Sequence, residues 1–159
     1  MGTAEVMAKV ASDVHRFGWH CMSVAPRVGE SGSHWTYTVG LLETFNHPEI
    51  AIFGLDSKMA HGILSDCVEA IRAGTRYPTD VAVAGVVKGD FLVEFRSVKA
   101  ECLREKFGAA ARYYDARPVE VVVMFWPTKE GKFPWEISTP SGQEEALTIV
   151  QRQQRLDAH

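Results

Sequence analysis

Apolar residues recur at helical spacing near the start of the chain: Val6, Met7, Val10, Val14 and Phe17 share one face, and Gly18 stands where a helix C-cap is expected. This pattern predicts an amphipathic first helix with His15 on its solvated side. Trp19 to Ala25 reads as a strand closed by Pro26, and 27–33, with two glycines and two serines, as a turn into an antiparallel partner. That partner, His34 to Leu42, is rich in β-branched and aromatic residues. A loop follows from Glu43 to Glu49. Ile50 to Leu55 is a continuous apolar run, suited to a strand buried on both faces.

Asp56 or Ser57 can cap a second long helix, whose stripe is Met59, Ile63, Leu64, Cys67, Val68 and Ile71 and whose end is marked by Gly74. Two strands over 81–87 and 91–98 surround Lys88-Gly89-Asp90, a hairpin-turn composition. Lys99 to Tyr114 is helix-prone with a break at Gly108. Glu120 to Trp126 is a strongly apolar strand stopped by Pro127, and the segment to Pro140 is loop-like. Ser141 and Glu144 have capping-box spacing ahead of a polar helix over 141–156. Together these elements predict one α+β domain spanning 1–159. Its sheet is expected to be mainly antiparallel and curved, with five or six strands and helices packed on it.

With 159 residues, 46% of them apolar and 23% charged, the chain suits one core better than two. A net charge of -3 gives no broad attraction to nucleic acid or anionic lipid, so neither partner is expected. No apolar run approaches the roughly 20 residues that cross a bilayer, and residues 1–17 lack a signal-peptide core; a cytoplasmic location is expected. Cys21, Cys67 and Cys102 are few and widely spaced, which reads as reduced core thiols.

Four imidazoles, His20, His34, His47 and His61, fall beside strand ends or a helix start. Were they to converge, they could hold a metal, although no His-Glu-x-x-His or Cys-x-x-Cys motif is present. In His47-Pro48-Glu49 the proline stiffens a loop carrying an imidazole and a carboxylate, a pairing suited to proton transfer, while turn formation ahead of a buried strand is by itself enough to explain the triplet. His61 lies on the flank of its helix stripe. Phe133-Pro134-Trp135-Glu136 places two aromatics in a loop, where Trp135 with Trp126 could wall a pocket for a planar ligand or fold back as a lid. Tyr113-Tyr114 beside Arg112 has the same two readings. No phosphate-cradle or nucleophile-elbow motif stands in the chain.

Trp35-Thr-Tyr-Thr-Val-Gly-Leu41, His47-Pro-Glu-Ile50, Phe53-Gly-Leu55, His61, Trp126-Pro127 and Gly131-Lys-Phe-Pro-Trp-Glu136 together resemble a bacterial domain-of-unknown-function family, number four-two-six-two in its series, over about residues 15–137. Thr128 departs from the acidic residue usual there. The resemblance implies a family and no chemistry. The order of elements is also similar to the opening of flavin reductase-like split barrels. That likeness implies a flavin held against the second strand, with Thr36, Thr38 and Ser57 as the matching donors.

These readings converge on a small-molecule-binding domain. Its pocket is expected between the second strand, the 47–49 loop and the 126–136 segment, and a flavin or another planar, phosphate-bearing molecule is the expected ligand. Thr36, Tyr37, Thr38 and Ser57 would bind it, Trp126, Trp135 and Glu136 would wall it, and His47, Glu49 and His61 would exchange protons. Two alternatives stand beside this one. One is a metal-assisted hydrolase or lyase using the histidines with Glu49 or Glu136; the other is a non-enzymatic protein-interaction module. A homodimer is compatible with all three.

Overall fold

Three strands are buried at every position and form the middle of the sheet: β2 (Trp35–Val39), β3 (Glu49–Phe53) and β6 (Val121–Phe125). The computed structural model describes residues 2–26, 28–29, 32–115 and 117–151. β1 (His20–Val24), β4 (Ala82–Val83) and β5 (Val93–Ser97) complete a six-stranded mixed sheet in the order β1-β2-β3-β6-β5-β4. β3 and β6 run parallel, with Glu49 beside Val121, and the other four pairs are antiparallel. The sheet does not close into a barrel, so β1 and β4 are its edges.

Side chains alternate across this sheet because successive residues of a strand point to opposite faces. Ile50, Ile52, Val122, Met124 and Phe95 pack against Leu64, Cys67, Val68 and Ile71 of α3 (Ser57–Arg72). Tyr37, Ala51, Phe53, Val123 and Phe125 face the other way. They meet α1 (Thr3–Phe17) through Val10 and Val14, α5 (Gly108–Tyr114) through Ala110, and α6 (Glu144–Ile149) through Ala146 and Ile149. The fold is therefore α+β, with helices on both faces of one sheet. No described helix is long and apolar enough to cross a membrane.

Several boundaries differ from the sequence reading. The second strand stops at Val39, because Gly40 adopts φ +114 and turns the chain into α2 (Leu41–Phe45), where a loop was expected from Glu43. Only Gly fits there: a Cβ would stand 2.9 Å from Val14 and 3.0 Å from the Gly18 carbonyl. The 81–87 strand shrinks to Ala82–Val83, since Gly85 turns to φ +81, and the hairpin to β5 spans 84–92. The helix-prone stretch from Lys99 divides into a 3-10 turn (Ala100–Cys102), α4 (Leu103–Lys106) and α5, breaking near Gly108 as expected. α6 ends at Ile149, and Val150 bridges to Val98. The expected helix beyond residue 151, and residues 27, 30 and 31 of the first turn, lie outside the described residues.

Gly54 holds φ +87, and a Cβ on it would lie 2.6 Å from the Gly142 carbonyl, so backbone meets backbone where β3 leaves the sheet. Gly54→Ala is expected to cost about 2 kcal/mol. Gly62, inside α3 with open space around it, is expected to gain about 0.5–1 kcal/mol when replaced by Ala. Thermal unfolding of the two variants checks both signs; equal stabilities would contradict the assigned contact.

Candidate functional site

Because β1 ends the sheet, its outer edge lies open between the two helical layers. α1 presents Lys9, Asp13 and Arg16 along one side, spaced by four and three residues. α3 presents Ser57, His61, Ser65 and Glu69 at intervals of four on the other. Between them, with Trp19, His20, Cys21 and Ser23 as its floor, lies an open groove of about 990 Å³. The Arg72 guanidinium donates to the Phe17 carbonyl at 3.0 Å and ties the C-terminal ends of the two helices together. Past Ser23 and Ser57 a second hollow of about 370 Å³ continues toward His34 and Asp56.

Strand alternation divides the floor. His20 lies on the α1 side with Met22 and Val24, which pack into that layer's core, while Cys21 packs into the α3 layer's. His20 and Cys21 therefore do not form a thiol–imidazole pair, and burial pushes the Cys21 thiol up to about 11. His20 Nδ1–H instead donates to Asp13 Oδ2 at 2.7 Å, and Lys9 Nζ donates to Asp13 Oδ1 at 3.0 Å. Burial pushes the Asp13 carboxyl up, but the bonds from His20 and Lys9 outweigh it and hold the group below 3.8. Trp19 and His61 stack with centroids 5.8 Å apart and planes 18° from parallel. Four cations, Lys9, Arg16, Lys58 and Arg72, line the groove against two carboxylates, Asp13 and Glu69, although the chain carries a net -3.

Of the residues singled out in the sequence, His20, His61 and Ser57 line this groove, and His34 with Ser57 lines the hollow beside it. His34 Nε2 bonds to the Leu55 carbonyl. The sequence reading passed over Lys9, Asp13, Arg16, Trp19, Lys58 and Arg72. A signal existed for one of them: Asp13 stands among apolar positions of its helix turn, next to Val14, and is nearly as buried as that core residue.

Glu49 has no exposed surface. Its carboxylate accepts from Thr38 Oγ1 (2.7 Å) and the Leu41 amide (3.1 Å) on one oxygen. The other oxygen accepts from the Gly40 (3.2 Å) and Leu42 (3.1 Å) amides and the Tyr114 hydroxyl (2.5 Å). Burial pushes the carboxyl above its ordinary range, and these donors pull against that push. Burial and the neighbouring Glu49 also raise the Tyr114 phenol. His47 is buried beside this network, its Nδ1 donating to the Pro48 carbonyl (2.8 Å) and its Nε2 accepting from the Tyr77 amide (3.3 Å). Burial holds that imidazole below 6.5. Both ring nitrogens of His47 are thus engaged with backbone.

The remaining candidates are dispersed. Thr36 bonds Ser23 across β1 and β2 (3.3 Å), and the Tyr37 hydroxyl accepts from the Ala109 amide on the opposite face (3.2 Å). Trp126 donates to the Phe53 carbonyl at the end of β3 (3.1 Å), whereas Glu49 opens that strand, so the two stand at opposite ends of the sheet. Trp135 packs in the α1-side core, stacked on Phe133 with the Arg96 guanidinium 3.6 Å from its ring, while Trp126 packs in the α3-side core. Glu136 accepts from the Phe133 amide and caps its own turn (2.9 Å). The structure does not bring Thr36, Glu49, Trp126 and Trp135 around one pocket. Among the described residues no group of three or more His, Cys, Asp or Glu is placed to hold a metal ion.

A family model described as a domain of unknown function (DUF4262) matches residues 13–140. No curated protein and no solved structure matches the chain.

Glu49→Gln places an amide N–H against converging donors and is expected to cost about 3 kcal/mol, with Tyr114→Phe costing about 1–2 kcal/mol. Urea denaturation checks this, and a neutral Glu49→Gln would contradict the assigned network. Asp13 has a depressed folded-state pKa, so its stabilisation is present above the unfolded value and is lost as pH falls through the folded one. The stability gap between the natural protein and Asp13→Asn should therefore shrink from about pH 5 to about pH 2. A gap that stays constant over that range would contradict the ion pair.

Proposed function

The chain belongs to the family of domains of unknown function DUF4262, and we propose that it binds a small, planar, phosphate-bearing molecule in the groove between α1, β1 and α3. The observation that carries this reading is that four cations and a stacked ring pair line one groove of a chain that is acidic overall. The volume suits a mononucleotide or a flavin mononucleotide. Trp19 and His61 offer ring faces to a planar group. Arg16 lines one wall and Lys58 the other, toward opposite ends of the groove, and the Ser57 and Ser65 hydroxyls can supply hydrogen bonds to a phosphate near Lys58. This site shares Ser57 and His61 with the sequence reading and leaves Trp126 and Trp135 to packing.

A second reading rests on the open edge of β1, which the groove follows: an extended acidic peptide could add to the sheet there as a further strand. Ring stacking favours the small molecule, since a strand added to the edge has no use for the Trp19–His61 pair.

Calorimetric titration with flavin mononucleotide and with adenosine monophosphate tests the proposal. Binding of at least one is expected, weakened about tenfold by Lys58→Glu or Trp19→Ala and unchanged by Trp126→Phe; a tenfold change corresponds to about 1.4 kcal/mol. Affinity should fall with added salt. Binding that ignores the Lys58 charge, or none to either probe, would overturn it. An acidic peptide binding where both fail would assign the groove to the second reading.

A further inference from the structure

We infer that the Asp13–His20 pair makes the groove a reaction site, in which His20 is the general base for metal-independent hydrolysis of an aryl or nucleoside phosphodiester. The inference rests on the binding reading above and adds chemistry to it. Nδ1 of His20 is committed to Asp13 at 2.7 Å, which fixes the tautomer and leaves Nε2 as the nitrogen available to a molecule in the groove. Asp13 is itself fixed, being 9% exposed on α1 with its second oxygen bonded to Lys9. A buried carboxylate that orients an imidazole beside a ligand-sized hollow is an arrangement suited to proton abstraction.

The surroundings decide the substrate class. The charged and titratable groups that line the groove with His20 are Lys9, Asp13 and Arg16 from α1, Cys21 from β1, and Lys58, His61, Glu69 and Arg72 from α3, a set whose cations suit a phosphoryl group. No serine or cysteine is hydrogen-bonded to His20 among the described residues, so water is the nucleophile. The water oxygen forms a bond to phosphorus and its proton passes to His20 Nε2. The bond from phosphorus to the leaving oxygen breaks with its electron pair on that oxygen, and the proton returns to the leaving group or to solvent. Nothing is oxidised or reduced. Asp13 acts as a positioning residue that stabilises the imidazolium formed in this step.

The test uses the full chain with bis(p-nitrophenyl) phosphate in the presence of a chelator, with binding of the same probe followed by calorimetry. Turnover is expected, with an acid limb in kcat/KM that His20→Gln removes. His20→Gln should lower kcat by about a hundredfold or more and leave KM unchanged. Asp13→Asn should lower kcat less and move the acid limb downward in pH, a shift that a purely structural role would not produce. Turnover unaffected by His20→Gln overturns the inference. Binding without turnover also overturns it and leaves the binding reading standing; neither binding nor turnover overturns it as well, and the binding reading is then decided by flavin mononucleotide and adenosine monophosphate. Should His20→Gln fail to fold, the His20 imidazole resonances of the natural protein must shift when the probe is added; resonances that do not move overturn it equally.

Discussion

The carboxylate of Glu49 opens the central strand of the sheet with no surface in contact with water, and five donors converge on it. Those donors come from β2, from the first turn of α2 and from α5, so one side chain fixes three neighbouring elements relative to β3. Burying a carboxylate is costly unless its hydrogen bonds are made, and here they fix the turn at Gly40. Gly40 is also where the backbone comes up against Val14 of the first helix and the carbonyl of Gly18, which caps that helix. The seat of α1 therefore depends on the same turn. Asp13, one residue before Val14, is carried with it to the edge of the sheet, where it meets His20.

The groove exists because the sheet runs out. β1 has a neighbour on one side only, while α1 and α3 project past it from the two layers and leave a trough whose floor is a strand edge. An open edge is a liability for aggregation, and charged residues beside it are one way of blunting it. Lys9, Arg16, Lys58 and Arg72 stand beside this edge. Their presence in one groove with the Trp19–His61 stack and the buried Asp13–His20 pair goes further, because edge protection requires neither an oriented imidazole nor stacked rings.

Much of the fold was legible in the residue pattern, since continuous apolar runs such as Ile50–Leu55 and Val121–Phe125 and the stripes of α1 and α3 follow from burial alone. The α+β class came through, and the six strands fall within the five or six expected. Errors arose where a single glycine overruled propensity. Gly40 turned Leu41–Phe45 into a helix and Gly85 cut a strand to two residues, and in both cases φ is positive. The parallel pairing of β3 with β6 was hidden because it joins segments some 70 residues apart, and nothing local encodes it. The site was legible only in part. His20, Ser57 and His61 stood out as chemistry-bearing residues, but their partners on α1 read as ordinary surface of an amphipathic helix. The aromatic Trp126–Glu136 segment drew attention by composition, yet its rings are spent on the two cores. Glu49 drew attention beside His47-Pro48, and its chemistry turned inward to hold the backbone.

The most direct test of the groove as the functional centre is a backbone amide NMR map of the protein titrated with adenosine monophosphate or flavin mononucleotide. The perturbed amides are expected to cluster at Asp13, Arg16, Trp19, His20, Lys58 and His61, on three elements that share only the groove. Perturbations gathered instead around Trp126 to Glu136, or spread without a centre, would contradict the account.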